Sequence, residues 1–190
     1  MNKRLLAHLA LFAANLIYGI NYTVAKEVMP NYIEPLGFIL VRVTGAVVLF
    51  WLCYAFFYYE KVNKGDLLKL AICGLFGVAI NQMLFFEGLN LTTPINAAVI
   101  MVSNPILVLL FGIFLATESF STRKGIGVTL GALGAIVLIT NGGQLSLNNE
   151  HFWGNIMVFI NASSYAVYLV LVKPLMQKYK PITVISWVFL

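Results

Sequence analysis

Hydrophobic residues run along this chain in long blocks, separated by short connections that hold most of its charged side chains. Leu5 to Ala25, Leu36 to Tyr59, Leu67 to Leu89, Ala97 to Leu115, Gly125 to Thr140 and Trp153 to Val172 form six such blocks, and a seventh opens at Ile182. Each approaches the ~20 residues that an α-helix needs to cross a hydrocarbon core ~30 Å thick. Lipid offers backbone N–H and C=O groups no water to bond, so helices, which satisfy those groups internally, are the expected elements. The pattern predicts an all-α membrane protein, a multi-pass helical bundle.

Composition agrees: 61% of the residues are hydrophobic and 10% charged, against about 25% charged in ordinary soluble domains. The formal charge of +5 comes with no basic cluster dense enough for a phosphate-binding face, so no nucleic-acid partner is indicated. Its distribution carries topology instead. Lys3 and Arg4 precede the first block, Lys61, Lys64 and Lys69 flank the second connection, Arg123 and Lys124 the fourth, and Lys173, Lys178 and Lys180 the sixth. The alternate connections hold Lys26 alone, and Arg42 lies within the second block. The positive-inside rule places the N-terminus and the lysine-bearing connections in the cytoplasm. A plasma membrane location follows, the bacterial inner membrane being the natural setting.

The first block is too long for a secretory h-region, carries Asn15 and Asn21, and has no small-residue cleavage site after it, so it is not a signal peptide. Cys53 and Cys73 sit within apolar blocks and suit packing better than a disulfide. With only His8 and His151 beside them, neither a metal site nor another cofactor is expected.

An offset of 147 residues places Phe12 on Phe159, Tyr18 on Tyr165, Lys26 on Lys173 and Tyr32 on Tyr179, with Pro35 and Pro181 within one position of the same register. Five blocks separate the two copies. An odd number of spans sends consecutive copies through the membrane in opposite senses, as in the inverted repeats of many secondary transporters.

Motif order adds a resemblance. The run Tyr18-Gly19-Ile20-Asn21-Tyr22-Thr23-Val24-Ala25-Lys26, Pro35 with Arg42, and the series Asn81-Gln82, Phe85-Phe86, Gly88-Leu89, Thr92-Thr93, Asn96-Ala97-Ala98, Pro105, Glu118 and Gly125 to Gly134 resemble EamA-type members of the drug/metabolite transporter superfamily. Gly154, Tyr165, Tyr168 and Lys173 repeat part of the pattern, whereas Glu87 departs from it. The resemblance implies ten helices in two five-helix inverted repeats around a central substrate cavity. Residues 5–140 then form the first repeat and residues 153–190 the incomplete start of the second. On that expectation the chain is a fragment or a truncated form of a longer protein, and it does not transport by itself.

Within the blocks, Tyr18, Asn21, Tyr22, Asn81, Gln82, Phe85, Asn104, Pro105, Tyr165 and Tyr168 are the substrate-cavity candidates. Their amides and phenols suit a small polar solute and serve equally well as bonds between helices. Pro105 removes a backbone donor midway along the fourth block and suggests a hinge. Gly127, Gly131 and Gly134 give the fifth block a small-residue face for helix packing. Lys26, Arg42 and Glu87 are the charged candidates, expected in one half of the bilayer as a network. An intramembrane arginine costs at least ~2.5 kcal/mol on insertion scales and needs protein or water around it. Proton coupling through Glu87 and pairing of two copies through the fifth block both stay open.

No HExxH, paired intramembrane aspartates, nucleophile motif or phosphate loop is present, so the chain is not expected to be an enzyme. The expected function is a secondary transporter exporting small metabolites, such as amino acids or related polar or amphipathic compounds. The competing readings are a membrane enzyme acting on lipid through Arg42 and Glu87, and a non-transporting scaffold subunit. For the topology, cysteines placed at Lys64 and Lys124 are expected to react with an impermeant reagent only from the cytoplasmic side, and cysteines at Asn31, Thr93 and Asn148 only from outside. Cytoplasmic labelling at Asn148 would reverse the orientation.

Overall fold

A computed structural model describes residues 3–117, 121–139 and 151–190 of the chain. Glu118, Asn148 and the Thr140 end of the fifth block lie outside the described residues. Nine α-helices are described, in chain order α1 (Lys3–Val28), α2 (Pro35–Phe57), α3 (Lys64–Gly74), α4 (Ile80–Leu91), α5 (Pro94–Met101), α6 (Asn104–Phe114), α7 (Thr122–Ile139), α8 (Phe152–Lys178) and α9 (Pro181–Val188). A π-helical segment, Leu75–Ala79, joins α3 to α4 without a break, so the third apolar block is one span from Lys64 to Leu91. The protein is an all-α membrane helical bundle.

Helix starts follow the sequence. Pro35, Pro94 and Pro181 occupy first-turn positions, where a missing N–H costs nothing. The side chains of Asn63 and Thr93 accept from Gly65 N and Asn96 N and cap α3 and α5. Around Pro105 the fourth block does break: α5 and α6 meet at a 40° bend across Val102 and Ser103. There the Ser103 hydroxyl donates to the Ile100 carbonyl at 2.6 Å, satisfying an acceptor at the break.

Four helices are individually long and apolar enough to cross a membrane, and the bent α5 and α6 pair makes a fifth span. The sequence pattern anticipates six and the start of a seventh. The fifth block corresponds to α7, which is described as far as Ile139, and α9 is the start of the seventh.

Packing centres on α8, which lies against α3, α4, α5, α6, α7 and α9. Its closest neighbour is α4, and glycine sets that approach. A Cβ on Gly154 would stand 2.7 Å from the Gly88 carbonyl oxygen and 2.8 Å from Thr92 N, and a Cβ on Gly88 would stand 2.9 Å from the Gly154 oxygen. The two backbones therefore touch, gaining dispersion contacts where lipid supplies no hydrophobic drive between helices. Beside this crossing the buried Thr92 hydroxyl donates to Asn155 Oδ1.

Two apolar clusters flank the crossing. One gathers Ala25, Ile39, Phe86, Leu89 and Val158 from four helices. The other gathers Leu70, Cys73, Val172, Leu175 and Val184 at the lysine-rich end. Helix α1 is different: residues 5–20 are all exposed, and burial begins only at Asn21.

The direction of each helix follows from its end contacts. Lys26, near the end of α1, bonds the Leu89 and Asn90 carbonyls at the end of α4. His151, which precedes α8, lies 3.3 Å from the Leu91 carbonyl at that same end. So α1 finishes and α8 begins where α4 finishes, and the two helices related by the 147-residue offset cross the bundle in opposite senses.

Gly154→Ala is expected to force α4 and α8 apart and cost about 1–3 kcal/mol by overpacking. Gly45→Ala, where nothing lies within 4 Å, should be neutral. Thermal unfolding of the detergent-solubilised protein measures both, and equal stability of the two variants would show that the backbone contact is dispensable.

Candidate functional site

The midsection of the bundle brings several of the anticipated residues together. Arg42 Nη1 donates to Asn21 Oδ1 at 2.5 Å, linking α2 to α1. Its guanidinium carbon sits 4.7 Å from the centre of the Phe86 ring and 5.4 Å from that of Phe38, both within cation–π range. Phe38 and Phe86 meet edge to face at 5.1 Å, Phe86 meets Phe85 at 5.0 Å, and Phe85 meets Tyr22 at 5.1 Å. An arginine, an amide and a chain of four rings thus share one wall. Phe38 is absent from the sequence candidates, yet its spacing of one helical turn before Arg42 is a legible signal.

Tyr18 lies within electrostatic reach of Arg42, Tyr22, Tyr165 and Tyr168. Tyr165 and Tyr168 lie 5.7 Å apart on α8. The Tyr168 ring leans into the π-helical segment, where a Cβ on Gly77 would stand 2.5 Å from it. Wide turns of this kind recur at functional positions because they loosen the local backbone bonding. Here α8 supplies donors to that region: Ser164 donates to the Phe76 carbonyl at 2.7 Å, and Asn161 to the Asn81 carbonyl at 2.7 Å.

Other candidates stand apart. Lys26 is held at the end of α4 by its two carbonyls, and Glu87, half-buried on α4, forms an ion pair with neither Lys26 nor Arg42. The anticipated three-charge network is therefore not formed: arginine is satisfied by an amide and ring faces, lysine by helix-terminal carbonyls. Asn104 and Pro105 lie at the bend, and Pro105 opens onto a separate cavity of about 230 Å³ shared with Val108, Leu169 and Lys173. Of the small-residue face on α7, Gly131 packs against Ile106, whereas nothing described lies within 4 Å of Gly127 or Gly134.

Three of the intramembrane amides present buried oxygens with no protein donor: Gln82 Oε1, Asn104 Oδ1 and Asn161 Oδ1. They are acceptors open to water or to a solute N–H or O–H. Among the described residues, no group of three or more His, Cys, Asp or Glu is placed to hold a metal ion.

At the lysine-rich end lies a second polar cluster, joining the start of α3 to the end of α8. Asp66 Oδ2 accepts from Lys178 Nζ and, at 2.7 Å, from the Tyr179 hydroxyl, while Tyr179 accepts from Asn63 N at 3.1 Å. Lys180 N donates to Glu60 Oε2 at 3.0 Å, and Trp51 Nε1 to the Ser186 carbonyl at 3.0 Å. The lysines had signalled topology alone; their acidic partner is more than a hundred positions away in sequence.

The sequence profile of the EamA-like transporter family matches residues 5–140. The chain belongs to this family. Among its relatives are the uncharacterized transporter YyaM of Bacillus subtilis (strain 168), 24% identical over 97% of the chain and 61% of the relative, and an uncharacterized transporter of Methanothermobacter thermautotrophicus, 25% identical over 93% of the chain and 55% of the relative. A third, the uncharacterized transporter YcbK of Bacillus subtilis (strain 168), is 28% identical over 73% of the chain and 45% of its own length. The chain thus spans about half to three fifths of the length of these relatives. No solved structure matches it.

Asn161→Ala is expected to destabilise the bundle by about 1 kcal/mol, since it strips the donor from a carbonyl beside the π-helical segment. Asn15→Ala should be near neutral, because Asn15 bonds only Leu11 of its own helix. Thermal midpoints of the two variants check this, and the reverse order would show that Asn161 is not an interhelical tie.

Proposed function

We propose that the chain works as part of a secondary transporter that moves small polar or amphipathic metabolites, such as amino acids or related compounds, out of the cell by alternating access. Membership of the EamA-like transporter family supports transport as the activity. The observation that carries the mechanism is the opposite sense in which α1 and α8 run beside α4, with Tyr18 and Tyr165 at matching positions of the 147-residue offset. Two similar units of opposite orientation can exchange conformations, so a site between them opens first to one side and then to the other. On this reading residues 5–140 form one unit and residue 153 opens the next, with the N-terminus in the cytoplasm of a bacterial inner membrane. The direction of export rests on the family resemblance alone.

The wall formed by Asn21, Arg42, Phe38, Phe86 and the tyrosines faces the solute. The Asp66, Lys178 and Tyr179 cluster closes the lysine-rich end, and it must part whenever that end opens. Asp66 is nearly buried while Lys178 is half exposed, its side chain accessible over 51% of its surface, so water screens the ion pair and keeps it weak. A latch of that strength holds a gate without locking it.

The test is flux by the full-length protein in proteoliposomes. Saturable movement of an unaltered solute is expected. Chemical conversion of a lipid or solute would favour an enzyme, and neither flux nor conversion would favour a scaffold. Lys178→Ala is expected to raise labelling of a cysteine buried near the lysine-rich end about twofold to fivefold, following the loss of a screened ion pair from the closed state. Unchanged labelling would remove the latch.

A further inference from the structure

Arg42 lies seven residues beyond Pro35, roughly 10 Å along α2 from its start and so inside the hydrocarbon region. Its guanidinium stays charged, and all five of its N–H donors lie in one plane. The two rings lie beside its central carbon, and among the described residues only the Asn21 amide oxygen accepts from it, through Nη1. Among the described residues, ion pairs join Asp66 to Lys69 and Lys178 at the lysine-rich end, and none reaches Arg42. A cation at this depth is therefore oriented by an amide and two aromatic rings, with no carboxylate among the described residues paired to it.

We propose that Arg42 is the docking point for the carboxylate of an organic acid solute, an inference that rests on the transport reading above and names its substrate class. The planar fork matches a carboxylate through two parallel N–H···O bonds. One carboxylate cancels one guanidinium, whereas a phosphate monoester would leave an uncompensated negative charge among Tyr18, Phe38 and Phe86, at the desolvation cost of an unpaired ion. The adjoining rings suit an apolar body attached to the acid. Lys26 adds no second anion contact there, because its ammonium is taken up by the Leu89 and Asn90 carbonyls. Asn21 is the positioning residue that fixes one edge of the fork.

The experiment is binding to the purified full-length protein in nanodiscs, by calorimetry and thermal shift. The probes are a series of acids from acetate to 3-phenylpropionate, the primary amide of each, and phenyl phosphate. At least one acid is expected to bind about tenfold or more tightly than its amide, the scale of a hydrogen-bonded charged contact. Phenyl phosphate should bind more weakly than the best acid. Arg42→Gln should abolish the preference for acid over amide, and Arg42→Lys should keep a weakened one. Where Arg42→Gln does not fold, Asn21→Ala decides, with an expected loss of acid affinity of about threefold to tenfold.

No acid binding in preference to its amide, an unchanged preference in Arg42→Gln, unchanged affinity in Asn21→Ala where that variant decides, or tighter binding of phenyl phosphate would each overturn the proposal. Flux separates this from the broader reading. Transport of neutral or cationic solutes that survives Arg42→Gln would leave the transporter standing and remove the carboxylate site. Absence of flux for every solute would remove the transporter, while the binding series would still decide whether Arg42 holds an acid.

Discussion

The contact on which the rest of the bundle depends is the meeting of two backbones at Gly88 and Gly154. Lipid tails are as apolar as leucine, so helices in a membrane associate through close packing and hydrogen bonds rather than by expelling water. Where α4 and α8 touch without side chains between them, neighbouring groups come within bonding distance. Thr92 reaches Asn155, Asn161 reaches the Asn81 carbonyl, and Ser164 reaches the Phe76 carbonyl. A larger residue at either glycine would stretch all of these bonds together, because they lie along one helix pair.

Two polar systems of different character sit on this frame. In the midsection a cation is held by an amide and two rings, an arrangement that leaves other N–H donors without an acceptor among the described residues. At the lysine-rich end carboxylate, ammonium and phenol bond one another across α3 and α8. The first is incomplete and near the middle of the bilayer. The second is complete and near water, where forming and breaking an ion pair changes the free energy little. A binding wall with spare donors and a gate with a cheap latch are what the transport reading asks of these two places.

Much of the fold was legible in the sequence because a bilayer imposes a length. Hydropathy alone placed α1, α2 and α8, and Pro105 marked the bend between α5 and α6. The π-helical segment was hidden, since Leu75 to Ala79 reads as ordinary apolar helix and its wide turn is stabilised by Ser164, far away in the chain. The candidate site was half legible. Arg42 announced itself by its cost in lipid, but whether it met Glu87 or an amide depended on which faces of α1, α2 and α4 turned together, which spacing along one helix does not specify. The intramembrane amides were harder still: Asn161 ties two helices with its nitrogen and leaves its oxygen unpaired, so one side chain serves packing and presents an acceptor at once.

The uneven burial of α1 has a mechanical consequence. Its one firm anchorage lies near its C-terminal end, where Ala25 is fully buried and the Lys26 ammonium grips the carbonyls that close α4, while residues 5–20 touch little of the described bundle. A helix fastened at one end is a lever with its fulcrum at Lys26. The arm from there to Lys3 is about 34 Å long, so a tilt of about 10° carries its free end about 6 Å, while Asn21, little more than one turn from the fulcrum, moves by about 1 Å. The grip on Arg42 can thus persist while the opposite end of the same helix swings by more than the width of a side chain.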